Sequence, residues 1–365
     1  MADYLNAILV CLNPVNLILI IAMVSLGIVF GAIPGLSATL GIALLLPITF
    51  GLSTTTSFVL LLAIWIGGVS GTFISAVLIG IPGSSSAIAT CFDGYPMTKN
   101  GQAGKALGIG MTASFIGSVF SILLATVLSP LIANLALKLG PWEYFSLCFC
   151  AITLIASLSK GSIFKGLMAA GIGLLMGCVG ADPINGMSRF TFNNVNLYGG
   201  ISTVAQMLGM FAMCQIIRDN AKGSTKMPEC KVENMKGLGV SFKDIFDNIK
   251  TILFSFFVGL WIGFLPGMGS GISNMVAYRY AKSISKEPET FGKGNPSGIW
   301  ASETANNASL GGALIPMMAL GIPGDGITAM LIAALTIHGL QAGPLFMVEQ
   351  HDLAMLIFAC VLVSA

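Results

Sequence analysis

Gly298-Ile-Trp-Ala-Ser-Glu303-Thr304-Ala-Asn306-Asn307-Ala-Ser-Leu-Gly311-Gly312-Ala-Leu-Ile-Pro316-Met-Met-Ala-Leu-Gly321-Ile-Pro323-Gly324-Asp325 is apolar enough to enter a membrane. It nevertheless holds a carboxylate, two adjacent asparagines, and a Pro-Gly break ending in a second carboxylate. A charge buried in lipid costs roughly 3 kcal/mol or more, so such residues face a cavity or a partner. Pro and Gly within a span free backbone groups that protein, ion or water must satisfy. The stretch reads as part of a binding site inside a membrane protein, and the rest of the chain as what positions it.

Working outward, the composition fits that reading. Of 365 residues, 55% are hydrophobic and only 9% charged, and mean hydropathy is +0.89. A soluble domain carries about 25% charged residues. Apolar runs of about 20 residues recur, the pattern of a polytopic all-α membrane protein; a membrane β-barrel would alternate in short strands instead. The 45 glycines and 15 prolines suit close helix packing and broken helices. Eight cysteines lie scattered in apolar runs with no Cys-x-x-Cys, as small hydrophobes rather than metal ligands. No Lys or Arg precedes the first apolar run, so no cleaved signal peptide is expected.

Along the chain, Leu17–Phe30 meets Gly31-Ala-Ile-Pro34-Gly35-Leu-Ser37-Ala-Thr39 before the apolar run resumes to Phe50, a hairpin broken within the membrane. Phe58–Ile79 ends in Gly80-Ile-Pro82-Gly83-Ser84-Ser85-Ser86, and a loop is expected over 92–105. Spans follow near 106–137, 145–158, 163–180 and 198–217, with Pro141-Trp142-Glu143-Tyr144 as an interfacial anchor and a polar loop at 182–196. Residues 218–250 form a basic linker in which Ser241-x-x-Asp244 caps a short helix, lying on the membrane surface or simply connecting. A span at 251–265 runs into Gly263-Phe-Leu-Pro266-Gly267-Met-Gly269-Ser270-Gly271. The opening stretch, a run over 327–337, and a last run from Leu353 to Ala365 complete the chain. That last run reaches only about 20 Å as helix, short of a core of about 30 Å, so the chain is expected to be cut short.

Three motifs repeat in order. Gly31-x-x-Pro34-Gly35 recurs as Gly263-x-x-Pro266-Gly267, 232 positions on; Gly80-Ile-Pro82-Gly83 as Gly321-Ile-Pro323-Gly324, 241 on; and Gln102-Ala-Gly104 as Gln341-Ala-Gly343, 239 on. The expected organisation is a repeat over 1–217, a cytoplasmic linker over 218–250 and an incomplete second repeat over 251–365. Basic loops stay cytoplasmic. The N-terminus has no basic residue while its counterpart at 218–250 has seven, including Arg218, Lys222, Lys226, Lys231 and Lys236; loop 51–57 has none while 279–293 has four; 92–105 has two and 338–347 none. Each pair prefers opposite sides, so the repeats are inverted, with the N-terminus periplasmic and Lys99, Lys105, Lys160 and Lys165 inside. Inverted repeats with paired broken helices characterise secondary transporters, with binding near the midplane.

The Pro-Gly breaks are the candidate substrate site. A half-helix starting after such a break points free N–H groups and a positive dipole end at the cavity, which suits an anion. Gly35, Ser37, Thr39, Gly83, Ser84, Ser85, Ser86, Gly267, Gly269, Ser270 and Gly324 are the expected substrate ligands; the plain alternative is that Pro-Gly only ends or kinks a span. Glu303, Thr304, Asn306 and Asn307, with Asp325, are the expected ion-coupling residues, hard oxygen ligands that suit Na⁺ or a proton relay. Otherwise Glu303 sits at the interface and the asparagines bond helix to helix. Asp325, directly after a break, either caps the half-helix or binds a cation, and would repel an anion. Lys105 and Arg279 either attract anions or anchor the inside loops. Under the repeat, Asn306 stands opposite Trp65 and Asp325 opposite Ser84. Gly101-Gln-Ala-Gly104-Lys105-Ala fails the phosphate-loop pattern, and neither His-Glu-x-x-His nor Gly-x-Ser-x-Gly occurs, so no enzyme is expected. A passive anion channel lined by the same breaks is the rival.

These motifs resemble the large membrane subunit of the tripartite tricarboxylate transporter family. The resemblance rests on Asp93-Gly-Tyr-Pro96 with Gly101–Gly108, Arg189-Phe-Thr-Phe192, Gly263–Gly267, Phe291-Gly-Lys-Gly294, Glu303-Thr-Ala-Asn-Asn-Ala308, Gly311–Pro316, Gly321–Gly324 and His338-Gly-Leu-Gln341, and spans essentially the whole chain. It implies a permease of the bacterial inner membrane, working with a small membrane subunit and a periplasmic substrate-binding protein. It would import a carboxylate such as citrate on an ion gradient, with Na⁺ as a candidate coupling ion and no other cofactor. Nucleic acid is not an expected partner; self-association into a homo-oligomer is left open. The chain departs from the family pattern at Ser302, where proline is more usual, and at Asp325-Gly326, where small hydroxyl residues are common.

Overall fold

The computed structural model describes residues 2–157, 162–182, 187–202, 205–206, 208–214, 217, 221 and 239–365. Lys160, Arg218, Lys222, Lys226, Lys231 and Lys236, on which the charge argument drew, lie outside the described residues. The fold is all-α. In the first half, α1 (Ala2–Cys11) and α2 (Pro14–Ala32) precede the first break, and α3 (Ala38–Leu45) continues as a 3₁₀ turn, Leu46–Gly51. Next come α4 (Thr54–Ile79), a 3₁₀ turn Ser85–Ala87 leading into α5 (Ile88–Lys99), α6 (Ala103–Ala136), α7 (Pro141–Ser157) and α8 (Ile163–Gly177). After the linker come α9 (Phe242–Asp247), α10 (Ile249–Phe264), α11 (Gly269–Ile284), α12 (Pro296–Leu320), α13 (Gly326–Ile337), α14 (Pro344–Glu349) and α15 (His351–Ser364).

Two expectations need correction. Residues 92–99, read as loop, belong to α5, which tolerates Pro96 in its last turn. The span expected over 198–217 is not one continuous α-helix among the described residues. Residues 198–202 are turn and bend and Leu208–Met213 form a π-helical turn, with a 3₁₀ turn at Val195–Leu197 just before them. Ahead of it, Gly180–Ala181 pairs antiparallel with Ser188–Arg189, and Arg189 Nη2 reaches Asp182 Oδ2 at 2.8 Å.

Helix α12 is the axis of the molecule. Every residue from Gly298 to Ala319 is buried, and α6, α10 and α11 pack along it. Small residues make the approach possible, as lipid-embedded interfaces require. A methyl group on Gly117 would overlap the Thr304 carbonyl, one on Gly259 the Ala305 carbonyl, and one on Gly263 the Ser309 carbonyl. In the first half, Gly27 and Gly31 of α2 meet Gly67, Gly68 and Gly71 of α4 in the same way. The outward sides of α2 and α6 are apolar: Ile18, Ile21 and Val29, and Phe120, Val127 and Leu131, are exposed. Among the described residues, α2, α4 and α6 are long and apolar enough to cross a membrane by length and composition.

Beside the start of α6, the expected cap is present. The Ser241 hydroxyl accepts the Asp244 N–H at 3.3 Å, and Asp244 Oδ2 accepts the Ser241 N–H at 2.8 Å. The Ser241 N–H and the Ser241 hydroxyl, each donating to Asp244 Oδ2 at 2.8 Å, more than the Lys105 ammonium 3.5 Å away, hold the Asp244 carboxyl below its usual value.

Candidate functional site

Four breaks converge. Ser37 at the start of α3, Ser84 to Ser86 ahead of α5, Gly267 to Gly271 at the start of α11 and Asp325 to Ile327 at the start of α13 line one cavity of about 570 Å³. Local chemistry builds each corner. Gly35 at φ +99° and Gly267 at φ +80° turn the chain at the first break of each half, a backbone region that glycine enters without penalty. Gly80 (φ 70°, ψ 16°) and Gly321 (φ 72°, ψ 18°) end α4 and α12 in the same left-handed conformation. Helix starts then follow. The Ser37 hydroxyl accepts from Leu40 N at 3.2 Å, the Ser84 hydroxyl from Ser86 N at 3.2 Å, and Asp325 Oδ1 from Thr328 N at 2.8 Å. In the second half the breaks touch directly, with Gly267 N–H donating to Gly324 O at 2.8 Å.

The cavity wall is rich in hydroxyls. Ser84 and Ser86 Oγ are 2.7 Å apart, and Ser86 Oγ lies 3.3 Å from Thr72 Oγ1. Thr39, Ser85 and Ser270 also line it. Among the described lining residues, Asp325 is the one charged side chain. Its carboxylate forms a capping box with Thr328, so of the two roles left open for Asp325 the observed contacts are those of a cap. Gly35, Gly83 and Gly324 are not part of the lining. They serve packing or turning: a methyl on Gly83 would overlap the Gly31 carbonyl, and one on Gly324 would lie 2.8 Å from Ala313 Cα and from the Gly263 carbonyl.

Glu303, Thr304, Asn306 and Asn307 stand apart from the cavity, fully buried on α12. Glu303 Oε1 accepts the Thr90 hydroxyl, while Oε2 accepts Asn306 Nδ2 at 3.2 Å and the Ser114 hydroxyl at 3.5 Å. Asn307 donates to Ser114 Oγ at 2.9 Å and to Glu303 O at 3.1 Å, and accepts from Ser70 at 3.3 Å and Ser118 at 3.4 Å. Among the described residues Glu303 has no ion-pair partner; neutral donors alone surround it. The network adjoins the cavity through the chain itself. Thr90 lies in the first turn of α5, two residues after the lining residue Ile88, and Ser70 directly follows the lining residue Val69.

Sequence reasoning named the α12 half of this network and missed Thr90, Ser70, Ser114 and Ser118. A signal was present on α6, where Ser114, Ser118 and Ser121 recur at helical spacing in an apolar run. It also missed what Asp93 does. Its Oδ1 accepts backbone N–H groups of Gly292 (2.8 Å), Gly294 (2.9 Å) and Asn295 (2.8 Å), and Oδ2 accepts the Tyr278 hydroxyl at 2.8 Å. Asp93-Gly-Tyr-Pro96 and Phe291-Gly-Lys-Gly294 thus meet, and the carboxylate pins the α11–α12 loop to α5. Lys105 pairs with Asp244. No three His, Cys, Asp or Glu side chains gather into a metal cluster among the described residues.

Fold and site together define a polytopic α-helical membrane protein whose central cavity is made of helix starts and hydroxyls. The family model described as the tripartite tricarboxylate transporter TctA family matches residues 17–365, and the chain belongs to that family. It is 36% identical over 333 residues to the uncharacterized 52.8 kDa protein in the TAR-I ttuC' 3' region of Agrobacterium vitis, covering 91% of this chain and 66% of that protein. A second relative, the uncharacterized protein in the TAR-II ttuC' 3' region of the same organism, is 36% identical over 86 residues, 24% of this chain and 36% of that protein. The chain therefore spans about two thirds of the first relative's length and about a third of the second's. No solved structure matches.

Proposed function

We propose that this protein is the permease of a secondary active importer. It would move a carboxylate such as citrate, or a related di- or tricarboxylate, across the bacterial inner membrane on a Na⁺ or proton gradient. A periplasmic binding protein delivers the substrate, and a small membrane subunit completes the complex. The observation that carries this reading is the cavity of about 570 Å³ on which four helix starts converge, with no basic side chain among its described lining residues. That volume suits a small molecule. Helix starts and hydroxyls supply donors for carboxylate oxygens, and family membership favours the same substrate class.

Buried next to this cavity, Glu303 with Asn306 and Asn307 forms the ion-coupling group in this proposal. A carboxylate in a membrane core with only neutral donors around it calls for a proton or a cation. The matched breaks, with paired left-handed caps at Gly80 and Gly321, support two inverted repeats over 1–217 and 251–365 joined by the linker, with the N-terminus periplasmic. The test is carboxylate uptake by the complete three-component system, with and without Na⁺ and with an ionophore. Accumulation against a gradient, abolished by the ionophore, is expected. Uptake that only equilibrates the substrate would replace the importer with a passive channel. Failure of every carboxylate would remove the substrate class.

A further inference from the structure

The Thr90 hydroxyl on α5 stands between two oxygens of α12. It donates to Glu303 Oε1, and Ser302 Oγ lies 2.8 Å from it. Ser302 Oγ in turn lies 3.3 Å from the Ile299 carbonyl. Thr90, Ser302 and Glu303 are all fully buried. A hydroxyl both donates and accepts, whereas an amide nitrogen only donates. With Glu303 ionised, Thr90 donates to Oε1 and accepts from Ser302. With a proton on Oε1, the row reverses and no heavy atom has to move. Glu303 then donates to Thr90, Thr90 to Ser302, and Ser302 to the Ile299 carbonyl. Every hydrogen in the row keeps an acceptor in both states. The other carboxylate oxygen lacks this freedom, because Asn306 Nδ2 faces Oε2 at 3.2 Å as a donor.

We propose that Glu303 carries the coupling proton on Oε1, and that Thr90, backed by Ser302, is the hydroxyl switch that serves it. Donors from Thr90, Ser114 and Asn306 point at the carboxylate, where a cation would require oxygens turned to accept it. In loading, the Thr90 O–H bond breaks as Oε1–H forms. Thr90 takes a replacement proton from a hydronium ion on the cavity side, which leaves as water; unloading is the reverse. Position couples the proton to the substrate. Thr90 lies in the first turn of α5, two residues after the cavity-lining Ile88. Neutralising Glu303 removes a negative charge beside the anion's cavity, where low dielectric makes that charge felt. Thr90 is thus a positioning residue that acts through Glu303. The proposal deepens the importer reading and rests on it.

Other titratable groups leave the carboxylate alone. Cys91, next to Thr90 on α5, is within electrostatic reach of it. Asp93, further along α5, is held by Tyr278 and the Gly292–Asn295 backbone. Helix α4 has no charged residue. Lys105 on α6, Lys250 on α10, and Arg279 and Lys282 on α11 are the cations of the helices around α12, and among the described residues none pairs with Glu303.

The alternative is that Thr90 only ties α5 to α12. Two measurements separate the readings. Carboxylate accumulation is followed in vesicles holding the complete three-component system, in Na⁺-free choline buffer under an imposed pH gradient. Infrared titration of the permease in lipid nanodiscs follows the carboxylic C=O band that Glu303→Gln removes. The wild type should accumulate substrate on the pH gradient alone. Thr90→Val, which keeps the shape, should lose about tenfold or more, and Thr90→Ser should restore it. Ser302→Ala leaves the Thr90–Glu303 bond in place and should still lose about threefold or more. The midpoint of the infrared band should move by about one pH unit in Thr90→Val and return in Thr90→Ser, while Cys91→Ser leaves it in place. The switch is overturned if the band does not titrate, if Thr90→Val keeps the wild-type accumulation and midpoint, or if Thr90→Ser fails as Thr90→Val does. A midpoint that Cys91→Ser moves as far as Thr90→Val overturns it too. Accumulation that needs Na⁺ and ignores the pH gradient overturns the switch and leaves the importer standing. A titrating band that responds to Thr90, in a protein that moves no carboxylate, upholds the switch and removes the importer.

Discussion

Replacing Glu303 in two ways separates its structural contribution from its proposed coupling role. In Glu303→Gln the shape is kept. The new amide oxygen takes the Thr90 hydroxyl, and the new NH₂ falls where Oε2 now meets Asn306 Nδ2 at 3.2 Å. Two donors would then face each other, but Asn306 Oδ1 lacks a partner, and a half-turn of the Asn306 amide presents it. The Ser114 hydroxyl, 3.5 Å from Oε2, has a second lone pair with which to accept. The contacts of the side chain are remade, while the turned Asn306 Nδ2 and the Ser114 hydroxyl proton give up an acceptor, so stability should fall by only about 1 kcal/mol. Glu303→Ala instead strips the partner from Asn306 Nδ2 and opens a hole in a fully buried helix. An unpaired buried donor at about 1–3 kcal/mol plus the void gives a loss of roughly 2–4 kcal/mol. Thermal unfolding of the purified variants and gradient-driven carboxylate uptake in vesicles provide the readouts. Glu303→Gln should unfold like the wild type yet lose at least about tenfold in accumulation, because an amide neither carries a proton nor neutralises a cation. Wild-type accumulation by Glu303→Gln would refute the coupling role, and equal destabilisation of the two variants would refute the network argument.

Other consequences are as direct. Asp325→Asn keeps the helix cap, because Asn and Asp cap equally well, whereas Asp325→Ala should cost about 1 kcal/mol. By removing the cavity's one described charge, the Asn variant should also lower the apparent KM for a carboxylate by roughly threefold to tenfold; a raised KM would contradict an anionic occupant. Gly83→Ala drives a methyl into the Gly31 carbonyl and should lower stability by about 3 kcal/mol, against about 1–2 for Gly324→Ala, where the nearest atoms are 2.8 Å away; unfolding temperatures in the opposite order would dismiss the packing role. Asp93→Asn keeps an acceptor for the three backbone N–H groups but loses charge assistance, a cost of about 1–3 kcal/mol. Faster proteolytic cleavage within residues 285–295 should accompany it, and an unchanged cleavage rate would show that the carboxylate does not hold the loop.

What could be read from the sequence followed from how local the physics is. Pro-Gly breaks, the Ser241 cap and the apolar runs of α2, α4 and α6 depend on neighbours a few residues away, and each is found where expected. Helix α5 was misread because Asp93, Gly94 and Pro96 resemble a turn. The reason they are helical lies some 200 residues later, in the Gly292–Asn295 backbone that Asp93 holds. The same distance hid half of the Glu303 network. Thr90 and Ser114 look like ordinary hydroxyl residues until α5 and α6 close on α12. Among the breaks, a residue's type did not tell lining from packing. Ser84 lines the cavity, while its neighbour Gly83 faces the Gly31 carbonyl.

Helix α12 is buried from Gly298 to Ala319, and this bears on how the protein is made. At 25 residues it is long enough to span a bilayer, yet it carries a glutamate and two asparagines that a lone helix would have to present to hydrocarbon, at a few kcal/mol for the charge alone. The helices that sheathe it, α6, α10 and α11, are all synthesised earlier. Nascent α12 therefore leaves the insertion machinery for a groove of protein already in place rather than for lipid. Mutations that loosen α6 or α10 should be felt first as failed insertion of α12, and so as degraded chains rather than slow transporters.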